Sequence, residues 1–161
     1  MRLTPEEWVR QQLLHRLVEQ LGYPASLIAV EVSLEKISPI SSSLSTRKRC
    51  DAVVYDQHMQ PRMLIECKAD TVALTQRTLD QAVTYNRRLG VPYLLLHNGL
   101  QSIVVQLDNT TTEGPLTFRS QIPDYKSTFG FNHIKQYGRH QVHRLVCFLF
   151  PPKPWCLFVT H

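Results

Sequence analysis

A chain of 161 residues with 43% hydrophobic and 19% charged side chains has the composition of one soluble globular domain that is long enough to bury a core. No apolar run reaches about 18 residues, and the first helix is amphipathic and acidic, which argues against a membrane span or a signal peptide. Four cysteines without metal-ligand spacing argue against a zinc site and a disulfide framework, and they predict a reducing, cytoplasmic environment.

The positive charge of the chain is unevenly distributed. The formal net charge is +5, but all 13 acidic residues precede residue 126, whereas 5 of the 18 basic residues follow residue 125. Residues 1–125 are therefore neutral overall. Any binding of nucleic acid by this part of the chain would need local clusters of cations rather than a general positive field.

Residues 4–21 are predicted to form the first helix. Thr4 fits the N-cap, Pro5 the first helical position, and Glu7 completes a Thr-x-x-Glu capping box, while Gly22 ends the helix. Its apolar stripe consists of Val9, Leu13, Leu14, Leu17, Val18 and Leu21. The capping role alone explains an acid at Glu7, so its position does not by itself indicate catalysis.

A strand, a polar loop and a basic run follow the first helix. Residues 27–34 alternate between apolar and polar side chains and predict a strand, and residues 38–46 form a serine-rich loop. Arg47, Lys48 and Arg49 come next. These cations can contact a phosphate backbone near a catalytic site, or they can be a solvated loop edge, and the sequence leaves both interpretations open.

A hairpin occupies the middle of the chain. Residues 49–55 and 62–68 are predicted strands joined by a polar turn over residues 56–61. Both strands are apolar on both faces, which is typical of central strands. A turn that is symmetric about the midpoint between His58 and Met59 would fix the antiparallel register.

Charged residues are predicted to meet at the open end of this hairpin. The register sets Asp51 opposite Glu66, with Cβ atoms roughly 5 Å apart on one face of the sheet. Lys68 shares that face because side chains alternate, whereas Cys67 points the other way. Two carboxylates this close repel one another unless a cation intervenes, and Mg²⁺ with its oxygen ligands is a natural candidate. A structural ion pair with Lys68 is the alternative.

The following stretch predicts a strand–helix–strand unit. A helix is expected over residues 75–89 and strands over residues 91–97 and 102–107, the last at the edge of the sheet. The connection implies a parallel pair of strands with a right-handed crossover. Gln81 and Tyr85 are four residues apart on this helix and lie on one side of it. By spacing alone they would be a polar surface pair.

The last part of the chain differs from the rest. Residues 126–161 contain no acidic residue, show no sustained helical or strand period, and have apolar segments that prolines interrupt. We therefore interpret residues 1–125 as one domain and residues 126–161 as an atypical tail outside the core. The favoured interpretation is an appended tail with little regular structure, for which translation from a shifted reading frame is one origin. The alternative is a small extra hairpin that completes the fold.

Five motifs in chain order resemble those of one protein family. They are Thr4-Pro5-Glu6-Glu7-Trp8-Val9-Arg10-Gln11, Arg49-Cys50-Asp51, Glu66-Cys67-Lys68, Gln81-x-x-x-Tyr85 and Asn98-Gly99-Leu100. The family is the N-terminal nuclease domain of type I restriction enzyme R subunits, with its short stand-alone relatives, within the PD-(D/E)xK nuclease superfamily. The resemblance covers roughly residues 3–124. Two features depart from it: Cys50 stands where the superfamily has proline, and the loop before Arg49 is long.

The resemblance implies a restriction-endonuclease-like α/β fold with an αβββαβ core and a mixed central sheet flanked by helices. It also implies Mg²⁺-dependent cleavage of phosphodiester bonds, in which Mn²⁺ can substitute, with Asp51, Glu66 and Lys68 as catalytic residues. Glu7 is a further candidate, because the first helix of such nucleases often adds an acid to the metal site. The implied metal ligands are Asp51, Glu66 and the backbone carbonyl of Cys67.

The predicted function is that of a metal-dependent DNA endonuclease. By resemblance, Gln81 and Tyr85 face the site and contact phosphate or base, and Arg49 and Lys48 are further DNA-binding candidates. DNA and restriction-modification subunits, or a separate motor protein, are the expected partners, with no membrane and no small-molecule cofactor. The alternative is a binding or assembly module of nuclease ancestry that is inactive alone. The neutral body and the absence of a Gly-x-x-x-x-Gly-Lys-Ser/Thr motif favour this alternative, whereas the intact catalytic residues favour the enzyme.

Overall fold

The computed structural model describes residues 4–37, 49–108 and 114–129, which form a mixed α/β fold. The elements are α1 (Pro5–Glu19), β1 (Ile28–Ser33), β2 (Arg49–Tyr55), β3 (Pro61–Cys67), α2 (Gln76–Leu89), β4 (Tyr93–His97), β5 (Ser102–Leu107), β6 (Leu116–Arg119) and α3 (Tyr125–Phe129). The predicted αβββαβ order is confirmed, and β5, β6 and α3 follow it. No helix within these residues is long and apolar enough to cross a bilayer.

Six strands form one sheet in the order β1-β2-β3-β4-β5-β6. Strands β3 and β4 are parallel, as the intervening α2 requires, and every other neighbouring pair is antiparallel. The prediction that residues 102–107 form an edge strand is wrong, because β6 pairs along the outer side of β5. Val104 and Val105 point to opposite faces and are both buried, as expected of an internal strand.

Local sequence signals begin both long helices and end α2 where they were predicted, whereas α1 ends at Glu19, two residues before the predicted end. The Thr4 hydroxyl accepts a hydrogen bond from the Glu7 N–H (3.2 Å), and the Thr75 hydroxyl accepts one from the Thr78 N–H (3.3 Å). Gly90 ends α2 with a left-handed φ of 69°, a conformation that glycine adopts without steric cost.

The hairpin of β2 and β3 has the predicted register. Val54 pairs with Met63, Val53 with Leu64 and Ala52 with Ile65, as predicted. Next to the turn the register shifts by one residue, and Tyr55 pairs with Pro61. The Asp56 carboxylate shapes the turn by accepting hydrogen bonds from the N–H groups of His58 (2.9 Å) and Gln60 (3.0 Å).

The sheet separates two apolar layers. The α1-side core packs α1 against one face, and its members include Val9, Leu13, Leu17, Ala52, Val54, Met63, Ile65 and Cys67. The α2-side core packs α2 against the other face, and its members include Val32, Cys50, Val53, Leu64, Leu79, Val83, Leu94 and Leu96. Every residue of β4 is buried, so this strand and β3 form the centre of the fold.

Helix α3 crosses the predicted domain boundary at residue 125. The Phe129 ring makes edge-to-face contacts with Tyr125 (5.1 Å between centroids), Tyr93 (5.8 Å) and Tyr23 (6.1 Å). Packing against the core thus continues at least to Phe129. Residues 130–161, which make up most of the predicted tail, lie outside the described residues.

The aromatic contacts of α3 predict a stabilising role for Phe129. In the full chain, Phe129→Ala should lower the free energy of unfolding by about 1–3 kcal/mol, less than for a fully buried phenylalanine, because the ring is only partly covered. Phe118→Ala removes the same side chain from an exposed position on β6 and is the matched control. Equal and negligible losses in urea denaturation of the two variants would show that α3 does not contribute to the core.

Candidate active site

The candidate site lies where the pairing of β2 and β3 ends. Ala52 and Ile65 form the last pair of the hairpin. If the pairing continued in the same register, Asp51 would lie across from Glu66. Here the Cys67 N–H donates a hydrogen bond to Oδ2 of Asp51 (2.6 Å) rather than to a carbonyl of β2. A side-chain carboxylate therefore takes the place of the next backbone bond, and the two strands separate.

Strand β3 keeps its other partner through this region. Glu66 and Cys67 remain paired with β4, and the Lys68 N–H donates to the His97 carbonyl (2.8 Å). The His97 ring lies within hydrogen-bonding distance of the Ser102 hydroxyl (2.9 Å), which ties it to β5. Glu66 and Lys68 thus stand on a strand that is held from the β4 side while β2 turns away.

Strand β2 changes faces at Asp51. Cys50 and Ala52 are two residues apart and would share a face in a regular strand, yet Ala52 belongs to the α1-side core and Cys50 to the α2-side core. The same change of face occurs in β1, where Val30 packs against the α1-side core and Val32 belongs to the α2-side core. Glu31, which lies between them, has a φ of 52°. The strict alternation behind the predicted shared face of Asp51 and Glu66 therefore breaks at Asp51.

A buried arginine from α1 faces the Asp51 carboxylate. Arg10 forms ion pairs with Glu7, with Glu31 (3.0 Å) and, at longer range, with Asp51 (3.9 Å). Its side chain is only 11% exposed. The Glu7 carboxylate also accepts a hydrogen bond from the Gln11 side chain (3.0 Å). Arg10 thus links the candidate acid of α1 to the acid of β2.

Sequence reasoning missed Arg10 and Glu31. Arg10 lies three and seven residues before Leu13 and Leu17, on the buried face of α1, and a charged residue on an apolar stripe is the signal that could have identified it. For Glu31, which occupies a left-handed conformation uncommon in residues other than glycine, the sequence offers no comparable signal.

The candidate residues open onto two neighbouring depressions. The smaller one is lined by Thr4, Glu6, Glu7, Arg10 and Asp51. The larger one is lined by Leu34, Arg49, Leu64, Glu66, Lys68, Thr78, Gln81, Ala82, Tyr85 and Leu96. Lys68 lines the larger depression. Its ammonium is 3.4 Å from Glu6, which lines the smaller depression, so the two depressions adjoin at this contact.

The structure therefore brings most of the predicted DNA-binding residues together. Arg49, Gln81 and Tyr85 line the same depression as Glu66 and Lys68. Lys48 lies outside the described residues. Asp51 opens onto the other depression, beside Glu7 and not beside Gln81 and Tyr85.

Burial controls the electrostatics of the site. It raises the pKa of Asp51, while the Cys67 N–H, Lys68 and Arg10 act in the opposite direction. Burial and then the Glu66 charge raise the pKa of the Cys50 thiol to about 12. The pKa of the Cys67 thiol is raised by burial and then by Asp51 and Glu66. Asp51 and Glu66 each raise the pKa of both thiols, which is consistent with their position at one end of the sheet.

The oxygen atoms at this end have the chemistry that Mg²⁺ and Mn²⁺ prefer. Within residues 4–37, 49–108 and 114–129, no group of three or more His, Cys, Asp or Glu side chains converges on one point. Mg²⁺, however, usually takes only one or two carboxylates, with water and substrate phosphate completing its shell. Asp51, Glu66 and the Cys67 carbonyl supply oxygen atoms of this kind, although Asp51 and Glu66 line different depressions. Burial raises the pKa of Asp51, so a further cation beside it would stabilise the charged form.

Comparison with known protein families identifies the chain. The family described as the type I restriction enzyme R protein N terminus matches residues 5–123, from the first residue of α1 almost to α3. The chain belongs to this family, which implies nuclease ancestry. No curated protein matches the chain.

The ion pairs of Arg10 predict a pH-dependent loss of stability when this residue is replaced. Arg10→Met leaves the carboxylates of Glu7, Glu31 and Asp51 without their shared cation, so the free energy of unfolding should fall by roughly 1–3 kcal/mol at neutral pH. The loss should shrink as the pH falls, because burial raises the pKa of Asp51 and a protonated Asp51 no longer needs the cation.

Arg16→Met is the matched control, since it removes an exposed cation from the same helix. Both variants are compared with the wild type by urea denaturation between about pH 4 and pH 7. A loss for Arg10→Met that is independent of pH would contradict the electrostatic role of Arg10 and assign its contribution to packing.

Proposed function

We propose that this member of the type I restriction enzyme R protein N-terminal family is a metal-dependent DNA endonuclease. The observation that carries the proposal is the separation of β2 from β3 at the Asp51 carboxylate. Glu66 comes directly after Ile65, which forms the last pair of the hairpin with Ala52, and Lys68 lies two residues further on. Two carboxylates and an ammonium at one end of a rigid sheet are the groups that metal-assisted hydrolysis of a phosphodiester requires.

Asp51, Glu66 and the Cys67 carbonyl are the residues that would hold one Mg²⁺, for which Mn²⁺ can substitute. When bound, this ion would supply positive charge at the scissile phosphate and lower the pKa of the attacking water. The hydrogen bond from the Cys67 N–H restrains one Asp51 oxygen, so the carboxylate is already oriented before a cation arrives.

Lys68 is the residue that would orient the attacking water and stabilise charge on the phosphate. Its ammonium is half-exposed and contacts Glu6, which restrains the flexible side chain at the rim of the site. Glu7 is engaged by Arg10 and Gln11. These contacts support a role for Glu7 in positioning Asp51 through Arg10, rather than in direct contact with the substrate.

The side chains around Lys68 support binding of a DNA strand. Arg49 contributes a second cation to the larger depression, and Gln81 and Tyr85 contribute an amide and a phenol on one side of α2. Cations bind phosphate oxygens, whereas amides and phenols can bind phosphates or base edges. Restriction-modification subunits, or a separate motor protein, are the partners that family membership supports.

A second candidate function is that of a binding or assembly module of nuclease ancestry that is inactive alone. The observation that favours it is the placement of Asp51 and Glu66 in different depressions. Such a module would still bind DNA or a partner subunit through the larger depression, but it would not need a metal.

The two candidates are separated by a plasmid-nicking assay on the full chain. We expect conversion of supercoiled to open-circular plasmid with Mg²⁺ or Mn²⁺ and none with EDTA. Glu66→Gln and Lys68→Met should each lower the nicking rate by at least about 100-fold, because each removes charge from the reacting centre. Glu19→Gln, an exposed substitution at the end of α1, should have no effect.

The same Glu66→Gln variant distinguishes a metal site from a structural ion pair. In a metal site the two carboxylates repel one another before the cation binds, so thermal unfolding should be unchanged or shifted slightly upward. In a structural pair, loss of the partner would destabilise the fold by up to roughly 3–5 kcal/mol if the charge were fully buried. Nicking in EDTA, or full activity of Glu66→Gln, would contradict the proposed mechanism.

A further inference from the structure

The larger depression has an apolar floor that the chemistry at the phosphate does not require. Its volume is about 230 Å³, and it lies directly beside Lys68. Leu34, Leu64 and Leu96 form the floor and are only 6%, 2% and 1% exposed, because they belong to the α2-side core. The half-buried Ala82 and Tyr85 add apolar surface beside the floor. A site that bound only phosphate oxygens would be lined by cations and N–H groups.

Duplex DNA does not expose a ring face that could cover this floor. In B-form DNA the faces of the bases are stacked on one another, so a protein meets only phosphates, sugars and base edges. A base that has left the stack presents an apolar ring face and a polar edge. Proteins that bind such bases combine an apolar or aromatic surface with a few polar groups.

We propose that the larger depression receives one unstacked nucleobase of the DNA strand, so that the preferred substrate is single-stranded or locally unpaired DNA. The ring face would lie on the leucine floor. The inference rests on the proposed function, because it takes the phosphate next to that base to be the one beside Lys68.

The rim of the depression matches the rest of a nucleotide. Arg49 and Lys68 place two cations at the rim, where they can contact the phosphates on either side of the base. Glu66 lines the same depression, and Glu6 lies 3.4 Å from the Lys68 ammonium. Gln81 offers an amide to the edge of the base, and Tyr85 offers an aromatic ring. The volume suits a single base and is below the range of typical pockets for larger ligands.

Ala82 provides a way to fill the depression without touching the charged residues. It is half-buried on α2 and lines the depression, so Ala82→Leu would occupy space intended for the base. Thr84→Leu adds a leucine to an exposed position of the same helix and is the matched control. Thermal unfolding of both variants shows whether each remains folded.

The test is a binding titration of the full chain in EDTA, so that cleavage cannot occur. The probe is a fluorescein-labelled DNA oligonucleotide of about 12 nucleotides, used as a single strand and as a duplex with its complement. Fluorescence anisotropy should show roughly tenfold tighter binding of the single strand. Ala82→Leu should lose that preference because it weakens binding of the single strand, whereas Thr84→Leu should behave as the wild type.

A second measurement covers the case in which Ala82→Leu does not fold. An oligonucleotide with 2-aminopurine in place of one base reports the loss of stacking as a change in fluorescence, and the wild-type chain should produce this change with the single strand. Equal affinity for single strand and duplex, or an unchanged 2-aminopurine signal, would overturn the inference. Metal-dependent nicking without a single-strand preference would overturn this inference alone, whereas a single-strand preference without nicking would support it and overturn the proposed cleavage.

Discussion

The hydrogen bond from the Cys67 N–H to the Asp51 carboxylate is the interaction on which the candidate site depends. It replaces a backbone bond between β2 and β3, so it opens the hairpin and holds an acid at the opening. The carboxylate is thereby drawn into a partly buried position where its charge is unfavourable, as its raised pKa shows. The Cys67 N–H, Lys68 and Arg10 offset part of that penalty, and a further cation would offset more of it.

Much of the fold follows from local sequence signals that agree with one another. Thr75 and Gly90 bound α2, and the polar turn that follows Tyr55 joins β2 and β3 with Asp56 accepting hydrogen bonds inside it. The edge position of β5 was predicted wrongly because β6 is only four residues long and mostly exposed, so its sequence carries no strong strand pattern. The covering of the core by Phe129 was also not predicted, because this residue follows the last periodic segment.

The candidate site could be predicted in part. The pattern of charges identified Asp51, Glu66 and Lys68 as neighbours in the hairpin, and their roles remain predictions. The change of face at Asp51 could not be predicted, because the alternation rule does not include a left-handed Glu31 in the neighbouring strand. The leucine floor could not be predicted either, because its members come from three segments far apart in the chain.

Binding of Mn²⁺ to the full chain in the absence of DNA tests the central claim most directly. Asp51→Asn keeps an oxygen that can accept the hydrogen bond from the Cys67 N–H, so it removes the charge without removing the restraint. Titration followed by electron paramagnetic resonance should show one bound Mn²⁺ in the wild type and none in Asp51→Asn, while Asp80→Asn, on the exposed surface of α2, should bind as the wild type. Equal binding of Mn²⁺ by Asp51→Asn and the wild type, or its absence from both, would contradict the account.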